Sequence, residues 1–485
     1  MSSKTSLFSR ILSILSANVG KMIVGILMTP ILVRYLGSEG YGELSFLLSI
    51  YSYLILFSGS GLAASVQKHI PEARDIKNWK EMLVKYHLLT SLKIISTFVI
   101  FILLVTSVDL TPLFEIKASS LLWLLIGYVA IESLFLVTRS SVMAVGAEKV
   151  SEPIYVFRYI LYFVLCIVFL SRGLGVAAPL LAHMLSILIS LTLLFVKFDR
   201  YIPVRRILFS DTKGLPTGEL VSFSSSSIFL SFAMISLYNT DLIILKIVEN
   251  STTVGYYKSA LVIVEFLWFI PIAIQTAYLH STSQLWSENK TKDLERIAST
   301  TTRTVLSLSL VMAVGIMSLS DQFIGLYYGL EFLNAKTALL ILLPGAIGFA
   351  VARPLYAICL AGNQTRHLRY FIGGCALLNG VLNIILIPQY GMAGAAVATS
   401  ATYGLMFVLM TMSLRLNGVE VKNLMLESQI VAIFITTVVI YGFKSILSSN
   451  IAQLIIIPPV GFVIHTTMCH RLGILDVKSI YKKVT

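Results

Sequence analysis

The chain has 485 residues, 56% of them hydrophobic and 13% charged, with a net charge of +13 and a mean hydropathy of +0.86. Soluble domains carry about 25% charged residues, so the polar surface that water-facing globules of this length need is missing. That excludes a soluble enzyme and leaves a chain lying mostly within a bilayer.

Met1 to Arg10 is short and polar, and the apolar run after it extends through Val33. That run is too long for a signal core, so no cleavable leader is expected. Fourteen apolar segments are predicted, near 10–33, 42–65, 86–106, 119–142, 154–171, 174–196, 220–245, 255–279, 302–320, 337–361, 370–388, 392–414, 428–448 and 451–469. Most approach the roughly twenty residues that a bilayer-spanning helix needs. The longest connections, near 66–85, 197–219 and 280–301, are too small to fold alone. Cys166, Cys359, Cys375 and Cys469 are scattered through apolar runs without CxxC or His pairing, so no disulfide, metal or cofactor is expected.

Basic residues set the orientation. With the N-terminus inside, 27 of the 37 Lys and Arg fall on cytoplasmic stretches, Arg139 and Arg158 counted among them. Seven fall on the outer side, including Lys246, Lys258 and Lys444, and Lys21, Lys93 and Arg353 lie within apolar segments. The bias predicts an even number of spans with both termini cytoplasmic. Basic loops beside anionic headgroups also account for the net charge without nucleic acid.

An internal repeat follows. Gly40-Tyr41-Gly42, opening the second segment, matches Gly255-Tyr256-Tyr257, opening the eighth, at an offset of 215. Ala144-Val145-Gly146 matches Leu360-Ala361-Gly362, and Gly173-Leu174-Gly175 matches Gly391-Met392-Ala393, at offsets of 216 and 218. The expected fold is an all-α integral membrane protein of about 14 spans. Two six-helix lobes, 1–213 and 214–420, form a parallel repeat around a central cavity, and 421–485 adds two helices and a cytoplasmic tail.

Three stretches carry a family resemblance. Pro30 to Gly42 (PILVRYLGSEGYG), Asp241-Leu-Ile-Ile-Leu followed by Val254 to Ala260, and Asn379 to Thr399 resemble the polysaccharide (Wzx-type, O-antigen repeat-unit) flippases. The family belongs to a superfamily that also holds multidrug antiporters and the lipid II flippase. The resemblance implies alternating access for an undecaprenyl or dolichyl diphosphate-linked repeat unit in a cytoplasmic (inner) membrane. It also implies a coupling ion, H+ or Na+, and contact with membrane lipids and polysaccharide-assembly proteins. A multidrug or cation antiporter is the alternative within the superfamily. A polymerase or ligase is disfavoured because the outer loops are short, the longest near 321–336, with no nucleophile–base or metal-ligand constellation.

A charged side chain at mid-bilayer costs about 2.5–3.5 kcal/mol on insertion scales, so each should face protein, water or a partner. Lys21 shares a helical face with Ala17, Gly25 and Thr29, with Asn18 near it, which suits a cavity wall or an ion pair. Arg353, beside Pro354, suits a diphosphate through its planar fork, or snorkels toward the cytoplasm. Lys21, Asn18 and Arg353 are therefore the substrate-binding candidates. Glu132 and Glu265 are predicted either to pair with a buried cation or to carry a coupling proton. Asp241, near an outer helix end, is either an ion-coupling acid or a packing residue. Pro344, Gly345 and Gly348, with Pro271, are the hinge candidates, a fixed kink being the alternative. Asn379 and Asn383, one turn apart, are expected to bond across helices, and His183, His280 and His465 to be structural.

Overall fold

A computed structural model describes residues 2–72, 79–107, 118–198, 217–362 and 365–475. Within these, side chains are described except at 2–19, 21–22, 72, 79–80, 105–107, 118–119, 198, 217–227, 280 and 365–366. The helices are α1 (Ser2–Ile55), α2 (Gly61–Glu72), α3 (Trp79–Ser107), α4 (Ala118–Ala144), α5 (Glu148–Ser171), α6 (Ala177–Phe198) and α7 (Thr217–Val248). They continue as α8 (Ser251–Glu265), α9 (Phe269–Ser287), α10 (Thr291–Tyr327), α11 (Lys336–Ala361), α12 (Thr365–Leu416), α13 (Leu426–Ile446) and α14 (Asn450–Arg471). Among the described residues there is no strand.

Among the described residues, twelve helical stretches are long and apolar enough to cross a membrane. Two of them, Ile23–Pro71 and His367–Leu416, run for 49 and 50 residues, about twice one crossing. Each turns at a single glycine. Gly37 holds φ 66°, ψ −176° inside α1, and Gly391 holds φ 56°, ψ −134° inside α12. A residue with a β-carbon takes such backbone only under strain, so glycine makes the turn possible. With these two stretches counted twice, the described residues hold fourteen apolar lengths sufficient for a crossing, consistent with the fourteen predicted segments.

Between α5 and α6, Gly173 and Gly175 also take left-handed φ values, of 77° and 53°. Several buried serines and threonines inside the helices return their hydroxyls to carbonyls one turn back, as Ser45 does to Tyr41, Ser49 to Ser45 and Thr90 to Tyr86, which satisfies them without a partner from another helix.

Two spans change their winding midway. A π-helical turn, Leu56–Ser60, joins α1 to α2. Its Ser58 hydroxyl meets that of Ser133 at 2.7 Å, which seats it on α4. A 3₁₀ turn, Phe266–Trp268, joins α8 to α9 just ahead of Pro271, whose missing N–H leaves the Leu267 carbonyl without its α-helical donor.

The chain forms two compact units, Met1–Ile235 and Ser236–Thr485, divided within α7. In the first, α5 packs on α6 and α1, α4 on α6, and α2 on α4. In the second, α11 is the axis, packed by α8, α9, α10 and α12. The last two helices are tied to α10 along its length. Ser307 meets His465 Nε2 and Cys469 Sγ, each at 3.0 Å, and Thr436 meets His465 Nδ1 at 3.1 Å. Further out, Gln322 donates to Gln453 at 2.8 Å and Lys444 Nζ donates to the Ser318 carbonyl. His465 is thus a satisfied structural residue.

Candidate functional site: a caged guanidinium in the second unit

Arg353 sits on α11, the helix that α8, α9, α10 and α12 pack against. Its Nη2 donates to Tyr238 Oη at 2.6 Å and its Nη1 to Gln275 Oε1 at 3.3 Å. Three ring faces surround the guanidinium carbon, at 4.9 Å for Trp268, 4.9 Å for Phe349 and 6.0 Å for Tyr238. The rings are themselves fixed. Trp268 Nε1 donates to the Ala346 carbonyl at 3.1 Å, Tyr403 Oη donates to the Leu237 carbonyl at 3.2 Å, and Phe349 stacks on Tyr403 at 4.5 Å. Arg353 does not snorkel away from this cage.

The cage supplies neutral acceptors and π faces but no counter-charge. Among the described residues no carboxylate comes within ion-pair distance of Arg353, and its buried Nε–H has no acceptor. Cation–π contacts return on the order of 0.5–2 kcal/mol each, while a desolvated charge without an anion costs more than that. An anion with acceptor oxygens would complete the arrangement, because a guanidinium offers a rigid fork of donors to phosphate or carboxylate.

Glu265, at the end of α8, pairs with Lys258 two turns earlier on the same helix, Nζ to Oε1 3.6 Å. The expectation that Glu265 pairs with a cation is met by Lys258 of its own helix. Asp241 is buried on α7 and accepts from Tyr257 Oη at 2.7 Å, Thr399 Oγ1 at 3.1 Å and the Leu242 amide at 2.8 Å. Thr399 and its neighbour Thr402 receive Asn379 Nδ2 at 3.4 and 3.1 Å, and Asn383 donates to Asn379 Oδ1 at 3.0 Å. Asn379 thus bonds across the two legs of α12, while Asn383 bonds to Asn379 within its own leg and its Oδ1 is left buried without a donor. Asp241 therefore heads an oxygen-rich cluster with no cation at ion-pair distance among the described residues.

In the first unit Glu132 has a full partner. Arg158 grips it with both Nη atoms, Nη1 to Oε1 at 3.0 Å and Nη2 to Oε2 at 2.6 Å, with both residues buried. Phe135 and Tyr159 cover the guanidinium at 4.8 and 5.3 Å. Tyr51, Tyr128, His183 and Tyr162 stack in series nearby. Arg158 was assigned to the cytoplasmic stretches, and the structure corrects this: it lies well inside α5. A second pair of opposite sense, Arg139 to Glu152 at 2.8 Å, joins the same two helices.

The side chains of Lys21 and Asn18 lie outside the described residues, as does that of His280. Pro344, Gly345 and Gly348 lie in one continuous helix. There the glycines serve close approach. A β-carbon on Gly345 would fall 2.3 Å from Ser400 backbone, and one on Gly348 would fall 2.8 Å from Gly404 Cα. Among the described residues no group of three or more His, Cys, Asp or Glu side chains gathers to hold a metal.

The comparisons agree with this architecture. The protein described as "Probable low-salt glycan biosynthesis flippase Agl15" of Haloferax volcanii is 28% identical over 258 residues, 51% of this chain and 53% of that protein. The chain thus matches about half the length of that relative. Lipid II flippase MurJ in an inward closed conformation superimposes with a TM-score of 0.77 at 15% identity, covering 96% of this chain and 100% of MurJ. An inward-facing multidrug resistance MATE family transporter of the MOP superfamily superimposes at 0.66 with 14% identity, covering 82% and 94%. These two likenesses establish the fold. The MatE family matches residues 227–385. The family described as "Polysaccharide biosynthesis protein" matches residues 7–286, more than half of the chain, and with its apolar helices this makes the chain a multi-pass membrane member of the polysaccharide biosynthesis protein family.

Proposed function

We propose that the protein flips polyprenyl-diphosphate-linked oligosaccharide units from the cytoplasmic to the outer leaflet of a cytoplasmic membrane, by alternating access, for surface polysaccharide assembly. The observation that carries this reading is Arg353, a cation fixed by rings and neutral acceptors with its remaining donors free for an anion. A diphosphate headgroup brings that anion, together with acceptor oxygens at the spacing of the guanidinium fork. The glycan flippase relative and the MurJ fold support the same assignment. Lys21, with Asn18 beside it, is the second substrate cation, on the first of the six-span lobes (1–213); Arg353 lies in the second (214–420), and 421–485 adds the last two spans. Membrane lipids and polysaccharide-assembly proteins are the partners this role requires.

Asp241 is the coupling acid in this proposal. Its carboxylate accepts from Tyr257 Oη and Thr399 Oγ1, and Thr399 links it to Asn379 and Asn383, so a buried acid sits in a polar network that suits a proton or a hard monovalent cation. In sealed vesicles, purified protein should move a polyprenyl-diphosphate disaccharide across the bilayer, faster under an imposed sodium or proton gradient. Asp241→Asn should erase the gradient dependence. Full gradient response in that variant would remove Asp241 from coupling, and no movement of the lipid by active protein would remove the flippase reading.

The MatE match and the MATE-like fold favour a second reading, a multidrug antiporter. A cationic drug finds no free carboxylate at Arg353, so uptake of such drugs is expected to be absent. Both termini are proposed to be cytoplasmic. Reporter fusions at the C-terminus and near Ser210 should read inside, and those near Asn250 outside; an outside reading at residue 485 would refute the even-span orientation.

A further inference from the structure

We infer that Lys258 is a specificity-determining residue, which keeps Arg353 available to an anionic substrate by occupying Glu265. The inference rests on Arg353 as the anion site. Glu265 and Arg353 share one neighbourhood. Tyr238 Oη is the acceptor for Arg353 Nη2. The 3₁₀ turn that follows Glu265 ends at Trp268, whose ring faces the guanidinium at 4.9 Å. A carboxylate so placed would ordinarily take the guanidinium as its counter-ion. Instead Arg353 rests on two neutral acceptors, and Glu265 turns to Lys258 Nζ at 3.6 Å.

The pair is partly open, with side-chain exposures of 26% for Lys258 and 41% for Glu265, so Glu265 has room to move. An ammonium on a flexible four-carbon stem suits this holding role, because it needs reach and charge and no fixed geometry. Without Lys258, Glu265 would be the internal anion of Arg353 and a substrate diphosphate would have to displace it. Lys258 thereby sets the sign of the site: it removes a negative charge that would favour cations and leaves a positive one that selects phosphate.

The test uses full-length protein in detergent, with geranyl diphosphate as the probe, and vesicle transport alongside. Lys258→Ala should weaken probe binding about tenfold or more, while membrane abundance stays normal. Adding Glu265→Gln to Lys258→Ala should restore binding and transport, and Lys258→Arg should retain both. A merely structural Lys258 would not be rescued by neutralising Glu265. Wild-type binding by Lys258→Ala, or no rescue in the double variant while Arg353→Ala abolishes binding, would overturn the role of Lys258 and leave Arg353 as the anion site. Loss of binding in Glu265→Gln alone would also overturn it, by making the carboxylate a required ligand. Wild-type binding by Arg353→Ala would instead sink the site on which the inference stands.

Discussion

An Arg353→Ala protein should accumulate in the membrane at normal levels and export no glycan. The guanidinium stacks over the faces of Trp268 and Phe349 and bonds only neutral acceptors. Its removal leaves Tyr238 and Gln275 unfilled but strands no buried carboxylate, so the fold should tolerate it. Losing a desolvated charge that meets a substrate phosphate costs about 2–5 kcal/mol, roughly 30-fold to several-thousand-fold in affinity. Arg353→Lys should retain a trace of transport: the charge survives, but the fork and the flat stacking surface do not. Titrating geranyl diphosphate against the three proteins, at several salt concentrations, separates charge from shape. Export at the normal rate by Arg353→Ala would show that the anion is bound elsewhere.

Much of the architecture was legible because a bilayer imposes one requirement on every span. A helix that must satisfy its own backbone and face lipid reads as about twenty apolar residues, and the fourteen segments follow from that. The turns at Gly37 and Gly391 are sharper than a loop, yet both glycines lie at the segment junctions expected from sequence. Arg353 was legible because a guanidinium in an apolar run is conspicuous. Its cage was not. Tyr238 and Trp268 look like any aromatic in a span, and only the packing of α7, α8 and α9 on α11 aims them at one point. Arg158 was misplaced because charges were credited to the nearest loop, whereas its partner Glu132 lies 26 residues away on the preceding helix. Lys258 and Glu265, two turns apart on one helix, were visible as a pair in principle.

The same reasoning makes the first unit sensitive at Glu132 and Arg158. Either single change, Glu132→Ala or Arg158→Ala, leaves one ion buried without its counter-charge, and such truncations cost about 3–5 kcal/mol. The pair combines an Nη1–Oε1 hydrogen bond of 3.0 Å with an Nη2–Oε2 ion-pair contact of 2.6 Å and is nearly sealed from solvent, so water has little access to replace the missing partner. Both single variants should therefore melt well below the parent in detergent and accumulate poorly. Glu132→Leu combined with Arg158→Met removes both charges and keeps the volume. It should recover most of the lost stability, since an apolar replacement of a buried pair is often neutral or favourable. The ladder below it, Arg139 to Glu152, still ties α4 to α5 in that variant. Transport by the double variant then decides the role of Glu132. Gradient-driven export at the parent's rate makes the pair a structural cross-link. A stable double variant that flips the lipid but ignores the ion gradient would move the coupling carboxylate from Asp241 to Glu132.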